Sequence, residues 1–453
     1  MTEPKNWNID GVSARCLALV CLSALFLALT ACRPPAPQPN VLLIVVDTLR
    51  KDHLGCYGYP RNTSPNVDRL ARDSVRYDRA ISQAPWTAPS VASLLTSQYP
   101  GVLGIEDEAS ILEDDWTVLP EVLREHGYVT AGVVSHIYCS SRWNFDQGFE
   151  LFDESNIAGH NDSTSADVTL EALTFLDNHG DAPFFLFLHY FDPHDTYLEH
   201  RGFRFPPDEE YHGPVNGALS ADRLRDLPEE LQPEDIAEIV RHYDSEIAFT
   251  DHHIGRVLDR LRELGLYDDT LIVFTADHGE EFREHGSFRH GYTLYDELIN
   301  VPLIIKVPGR GGEIDDDTVA LLDVYPTILD LAGISADHEL QGISLAGSSA
   351  VKQVAARTVF SETSRKNRLL RAAVTRNNKL IMDLNTTDIE FYDLHADPGE
   401  QHDLHEDDRD GYVSLNESLQ RWLNETSFAR RDGERIELTP EEQERLRSLG
   451  YLE

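Results

Sequence analysis

Two carboxylates and an imidazole stand just past two apolar runs that lie far apart in the chain. Val41-Leu42-Leu43-Ile44-Val45-Val46 leads into Asp47, and Leu271-Ile272-Val273-Phe274 leads through Thr275-Ala276 to Asp277-His278-Gly279-Glu280. Brought to one place, Asp47, Asp277 and His278 are ligands for a divalent metal, which can acidify a hydroxyl and neutralise charge on a transferring group. Thr87 carries such a hydroxyl. It stands at the head of Thr87-Ala88-Pro89-Ser90-Val91-Ala92-Ser93-Leu94-Leu95, where Pro89 is placed as a first-turn proline and the rest continues as helix. Free N–H groups at that end favour an anion. Two readings of Thr87 stand side by side: a plain N-cap, or a nucleophile activated by the metal and ligating it.

The elements that must position these groups have a parallel-sheet pattern. Both runs are short, β-branched and apolar throughout, as in strands buried on both faces, and each delivers its acid at the carboxyl edge where open α/β sheets build sites. From Asn40 to about Ile334 strand and helix patterns alternate. Strands are expected at Val129–Val134, Phe184–Leu188 and Leu303–Ile305, and helices at Leu119–His126, Ala237–Leu264 and Val324–Leu331, the last stopped by Gly333. The Phe184 strand runs into His189-Tyr190-Phe191-Asp192-Pro193-His194, in which His189 reads as a buried, satisfied side chain. From Thr358 onward, Leu369–Thr375 and Lys379–Asp383 suggest a small antiparallel sheet, and Leu438-Thr439-Pro440-Glu441-Glu442 a capped helix on the surface. The expected fold is α/β: a large, mostly parallel sheet sandwiched by helices, with a small C-terminal antiparallel sheet and helix. The expected divisions are 1–31, 32–39, 40–345 and 346–453.

At the N-terminus, Lys5 and Arg15 precede an apolar stretch from Cys16 to Leu29, shorter than the roughly 20 residues of a spanning helix and suited to a signal peptide. Leu29-Thr30-Ala31-Cys32 resembles a bacterial lipobox. Cleavage before Cys32 and acylation of its thiol would make an exported, membrane-anchored lipoprotein on a stiff tether, Arg33–Pro39; an uncleaved signal anchor is the alternative. Cys56 and Cys139 form no metal-type spacing and read as unpaired thiols. Lys+Arg 39 against Asp+Glu 79 gives a net charge of −40, which excludes nucleic acid as the expected partner because phosphates need a basic surface.

The chain resembles the sulfatase-like branch of the alkaline phosphatase superfamily. The likeness is carried by Asn40–Asp47, Thr63–Ala71, Thr87–Thr96, Phe145-Asp146-Gln147-Gly148-Phe149, Asp192-Pro193-His194, Asp277–Phe282, His285-Gly286, His290-Gly291, Leu294-Tyr295-Asp296-Glu297, Val301-Pro302-Leu303-Ile304, Pro326–Asp330 and Phe391-Tyr392-Asp393-Leu394. It departs from true sulfatases at the nucleophile. Their Cys/Ser-x-Pro-x-Arg, whose first residue is oxidised to formylglycine, here reads Thr87-Ala88-Pro89-Ser90-Val91. Threonine cannot give that aldehyde because its Cβ carries a methyl, and the arginine is replaced by Val91.

The resemblance implies roles residue by residue. Asp47, Thr87, Asp277 and His278 would hold one divalent metal, Zn or Mn favoured by the nitrogen ligand and Ca the alternative. Thr87 would be the nucleophile, with His194, His290 and His285 as acid/base or charge-neutralising groups. Asn62 and His136 are further candidates for contacting substrate. Asp192 would orient His194 or cap a turn. Glu280 and Glu281 would support the ligands rather than join them. The pair Asp192 and Thr196 does not support a second metal. The expected activity is hydrolysis of an anionic phosphate ester through a covalent Thr87 intermediate. The alternatives are sulfuric ester hydrolysis, phosphotransfer to a glycan or lipid, and a non-catalytic binding module.

Overall fold

The computed structural model describes residues 38–157, 164–206, 211–215, 219, 223–224, 227, 231–347 and 357–452. The expected signal segment, Cys32 and most of the tether lie outside the described residues, as does much of the loop region expected over 200–228. Pro39–Glu453 clusters as one unit.

Its centre is an eight-stranded sheet in the order β10-β2-β9-β6-β1-β5-β3-β4. The strands are β1 (Asn40–Val46), β2 (Val75–Ile81), β3 (Val129–Val133), β4 (Leu151–Asp153), β5 (Phe184–Tyr190), β6 (Thr270–Ala276), β9 (Asn300–Lys306) and β10 (Glu313–Ala320). Only β9 runs against its neighbours β2 and β6. β1, β5 and β6 pair parallel and are buried along nearly their whole length, because helices cover both faces and leave no place for alternation with polar residues. The helices Ser165–His179 and Pro233–Glu263 pack together on this sheet.

A ribbon of β7 (Glu281–Phe282) and β8 (Phe288–Arg289) follows β6. The expected small sheet is present as β11 (Val359–Thr363), β12 (Leu370–Val374), β13 (Asn378–Asp383) and β14 (Ile389–Asp393), antiparallel throughout and backed by the helix Arg409–Ser427. The last helix, Pro440–Ser448, carries the expected cap: Glu442 N donates to Thr439 Oγ1 at 3.2 Å and Thr439 N to Glu442 Oε2 at 2.7 Å. It is not only a surface element. Leu446, Leu449 and Tyr451 are buried in the main core.

Candidate active site

Parallel register places the first two ligands. Val46, the last residue of β1, faces Ala276 of β6 on one side and Tyr190 of β5 on the other. The next residues, Asp47 and Asp277, therefore leave the sheet side by side, and His278 follows. Gly279 is required here: a Cβ would stand 2.0 Å from Glu297 O, while its N–H donates to Leu298 O at 2.8 Å. Ligand atoms of Asp47, Asp277 and His278 all lie within 4.8 Å of one another. His278 Nε2 is 3.5 Å from both Asp47 Oδ1 and Asp277 Oδ2. Its Nδ1–H donates to Gly279 O at 2.9 Å, which leaves the Nε2 lone pair turned toward the acids.

The donor set fits a cation. Asp47 Oδ1 and Oδ2 and Asp277 Oδ2 are buried and accept no hydrogen bond. Burial first, and then the charges of Asp277 and Glu280, push the Asp47 carboxyl well above its usual range. Two buried carboxylates with open lone pairs are costly unless a positive charge joins them.

Thr87 does not serve as the N-cap. The helix runs Thr87–Thr96, its cap residue is the extended Trp86, and no side chain caps it. Ser90 Oγ donates to Asp277 O at 2.7 Å and ties this helix to the end of β6. The Thr87 hydroxyl is thereby brought 3.3 Å from His278 Nε2.

Three further histidines close over it. His194 Nδ1 bonds to the backbone Asp195 O at 3.0 Å, with Asp195 Oδ1 2.9 Å away, and His290 Nδ1 is 3.1 Å from Glu280 Oε1. Glu280 Oε2 in turn accepts from Tyr197 at 2.8 Å. His136 accepts from Tyr138 N through Nδ1 at 3.1 Å. All three turn Nε2 toward one point, the hydroxyl of Tyr451, at 3.2, 3.1 and 3.5 Å for His194, His290 and His136. Burial, then neighbouring imidazoles, lowers the pKa of His290 and of His136 well below the ordinary histidine value.

Several expectations are corrected. His285 is not in this group. Its Nδ1 meets Glu297 at 2.6 Å, its Nε2 meets Glu400 O at 3.1 Å, and its ring stacks on Tyr295, so both nitrogens are committed to structure. Asn62 is exposed, and its neighbour Arg61 binds Asp244. Asp192 neither orients His194 nor caps its own turn; it accepts from Ser165 N at 2.9 Å and Ser165 Oγ at 2.6 Å at the start of the Ser165–His179 helix. Asp195, unread in the sequence, holds His194 instead. His189 is buried but not satisfied: neither ring nitrogen has a hydrogen-bond partner, and Nε2 is 3.8 Å from Asp47 Oδ2. Its place at the end of an inward-facing strand beside β1 was the available signal. Cys56 and Cys139 are free thiols.

Helix-covered parallel strands that present acids, a histidine and a helix-borne hydroxyl at one rim define an alkaline-phosphatase-like hydrolase fold. The family model described as "Sulfatase" matches residues 39–334, and this chain belongs to the sulfatase family. A second model, "N-sulphoglucosamine sulphohydrolase, C-terminal", matches residues 283–428. The chain is similar to an N-acetylglucosamine-6-O-sulfatase of Bacteroides thetaiotaomicron, 25% identical over 90% of each chain. It is also similar to the iduronate 2-sulfatase of Mus musculus, 29% identical over 65% of this chain and 69% of that one. Among solved structures, the fold matches a protein in complex with D-glucosamine-2-N,6-O-disulfate, with a TM-score of 0.71 and 23% identity, over 87% of this chain and 98% of that one. It also matches the phosphonate monoester hydrolase of Agrobacterium radiobacter, with a TM-score of 0.70 and 20% identity, over 86% and 96%.

Proposed function

We propose that this chain is a metal-dependent hydrolase of an anionic sulfuric ester, with the Thr87 hydroxyl as the group that takes the sulfuryl unit. The observation that carries the reading is the Thr87 hydroxyl itself, free of any capping duty and 3.3 Å from His278 Nε2, beside Asp47 and the open Oδ2 of Asp277. The sulfuric ester is preferred to the phosphoric ester expected from the sequence because the Bacteroides thetaiotaomicron and Mus musculus relatives named above are sulfatases. Asp47, Asp277, His278 and Thr87 would hold a divalent cation, Zn or Mn by the nitrogen ligand, which when bound would lower the hydroxyl pKa and neutralise the transferring oxygens.

The chain's own residues do the rest. The Thr87 Oγ–S bond forms as the ester O–S bond breaks; the Thr87 hydroxyl proton passes to Nε2 of His194 or His290 and from there to the departing alcohol oxygen. Asp195 and Glu280 fix those rings through Nδ1, so that Nε2 faces the leaving oxygen. Water then breaks the Thr87 Oγ–S bond, giving sulfate and restoring the hydroxyl. A second reading, phosphoric ester hydrolysis, is favoured by Thr87 standing where an oxidisable Cys or Ser would, since a threonine alkoxide can carry a phosphoryl group unaided.

Turnover of nitrophenyl sulfate and nitrophenyl phosphate, each with Zn or Mn and beside Thr87→Ala, tests the pair. Sulfate turnover lost in the variant supports the first reading, and phosphate turnover alone supports the second. No turnover of either ester overturns both in favour of a transferase or a binding module. Mass spectrometry of trapped enzyme is expected to find the transferred group on Thr87 rather than Ser90 or Ser93. A lipid anchor at Cys32 is likewise proposed; labelled palmitate that fails to enter the wild type would reject it.

A further inference from the structure

The segment that follows the Pro440–Ser448 helix is seated in the active site. Tyr451 lies 364 residues from Thr87 in sequence, yet its hydroxyl is 3.2 Å from Thr87 Oγ1 as well as within reach of His194, His290 and His136. The seat is built. Gly450, at φ +72, turns the chain out of the Pro440–Ser448 helix. Three successive carbonyls are then held by side chains of other segments: Leu449 O by Arg289, Gly450 O by Tyr292 at 3.3 Å, and Tyr451 O by Arg365 at 2.9 Å.

The walls around the phenol ring are those an aromatic group selects. The Tyr138 ring meets it edge-on at 4.8 Å and 76°, the His136 ring at 5.8 Å and 86°, and Trp86 lies tilted at 6.4 Å. The Arg365 guanidinium stands 5.2 Å over the ring and 4.7 Å over Trp86. Arg365 Nε and Nη1 are buried without a hydrogen-bond partner. Edge-to-face pairs and a cation over a ring face draw on the aromatic quadrupole, which a sugar ring lacks.

Occupancy by Tyr451 and by substrate exclude each other. Two oxygens at hydrogen-bond distance leave no room for a sulfur or phosphorus atom between them, and Thr87, His194, His290 and His278 are all buried with the tail in place. We propose that Tyr451 is a displaceable, product-like occupant of the subsite for the ester's alcohol part, and that the group which replaces it there is aromatic, so that the preferred substrate is an aryl ester. This rests on the ester hydrolase reading above. The hydroxyl of Tyr451 stands for the oxygen of a phenol just released, with His194 and His290 on it as they would be on the leaving oxygen.

The test compares full-length wild type, Tyr451→Phe and Tyr451→Ala on nitrophenyl sulfate and on N-acetylglucosamine 6-sulfate, with the peptide Leu449–Glu453 added in trans. Tyr451→Ala is expected to lower KM for the aryl ester by about tenfold with little change in kcat, because an apparent affinity is reduced by the fraction of molecules whose site is open. Tyr451→Phe keeps the ring, loses the hydroxyl contacts and falls between. The sugar ester gains less than the aryl ester, and the peptide restores the high KM of Tyr451→Ala competitively. A fall in kcat in Tyr451→Phe with KM unchanged overturns the proposal and makes the hydroxyl part of the catalytic machinery. Equal gains on both esters overturn the aromatic preference. If no variant turns over either ester, the hydrolase reading has failed. Calorimetric titration of the peptide and of 4-nitrophenol into Tyr451→Ala then decides the seat alone: saturable, mutually competitive binding supports it, and no binding overturns it.

Discussion

Two clusters of acids in this protein differ in whether side-chain cations stand on them. At the carboxyl rim of β1 and β6, Asp47 and Asp277 stand together with no lysine or arginine on them, and burial with mutual repulsion drives Asp47 up. Where the small sheet meets the Asp296–Ile299 turn, Glu400 is buried and Asp296 partly so. There Lys379 Nζ lies 2.8 Å from an oxygen of each, and Arg79 adds a contact to Asp296 at 2.7 Å. Burial alone would raise Asp296; Lys379 and then Arg79 hold it far below the usual carboxylate range, while at Glu400 burial outweighs Lys379 and pushes the carboxyl up to about 7. One cluster carries its cations as side chains and is closed. The other leaves carboxylate lone pairs open, which is costly for folding and is the arrangement a metal-binding site requires.

The largest effect that would break this contrast is at Asp277. Asp277→Asn is expected to remove bound metal and to lower ester turnover by about a thousandfold, the scale of losing a principal electrostatic group. Metal analysis and kinetics on one sample check it, and a fully active variant would reject the assignment. In the metal-free protein the same change relieves repulsion with Asp47, so its thermal midpoint should rise. Lys379→Met should do the reverse, leaving buried Glu400 without its cation and Asp296 with Arg79 alone and costing roughly 3–5 kcal/mol in a denaturant titration, with the metal content of the folded fraction unchanged.

A smaller effect is expected at the support of His290. Glu280→Gln keeps the shape but weakens the hold on Nδ1, and turnover should fall by about 10–100-fold, as for other groups that orient a site residue; unchanged kinetics would remove Glu280 from the machinery. The smallest is at His285. Burial lowers its pKa, but the hydrogen bond to Glu297 wins and raises it to about 9. A raised folded-state value gives stability fully present below the ordinary histidine pKa of about 6.5 and lost as pH climbs toward 9. His285→Gln should therefore lower the melting temperature at pH 6 by at most about 2 °C, converge with wild type above pH 9, and leave turnover intact. Lost turnover would return His285 to the active site.

Sequence legibility tracked how local the physical signal was. β1 and β6 were readable because burial on both faces forces an unbroken apolar run, and the acid that follows such a run can only lie at the sheet's edge. Residues 324–331 and the cap at Thr439 were readable for the same reason, since helical period and capping chemistry act within one or two turns. His285 misled because it sits beside a genuine ligand motif, while the chain between β7 and β8 turns its ring toward Glu297 and Tyr295. Asp192 misled because its partner, the Ser165 helix terminus, is distant in sequence.

By itself, then, the sequence determined the alternating α/β architecture, the acids at two strand ends, and a hydroxyl at the start of a buried helix, because spacing and burial pattern encode each of these locally. Only the tertiary structure decided that Asp195 holds His194, that His189 stands unpartnered beside Asp47, that Arg365 reaches Trp86 from the small sheet, and that Tyr451 rests on Thr87. Each of these depends on segments meeting across the fold, and no local period or propensity records which distant side chain will fill a given buried space.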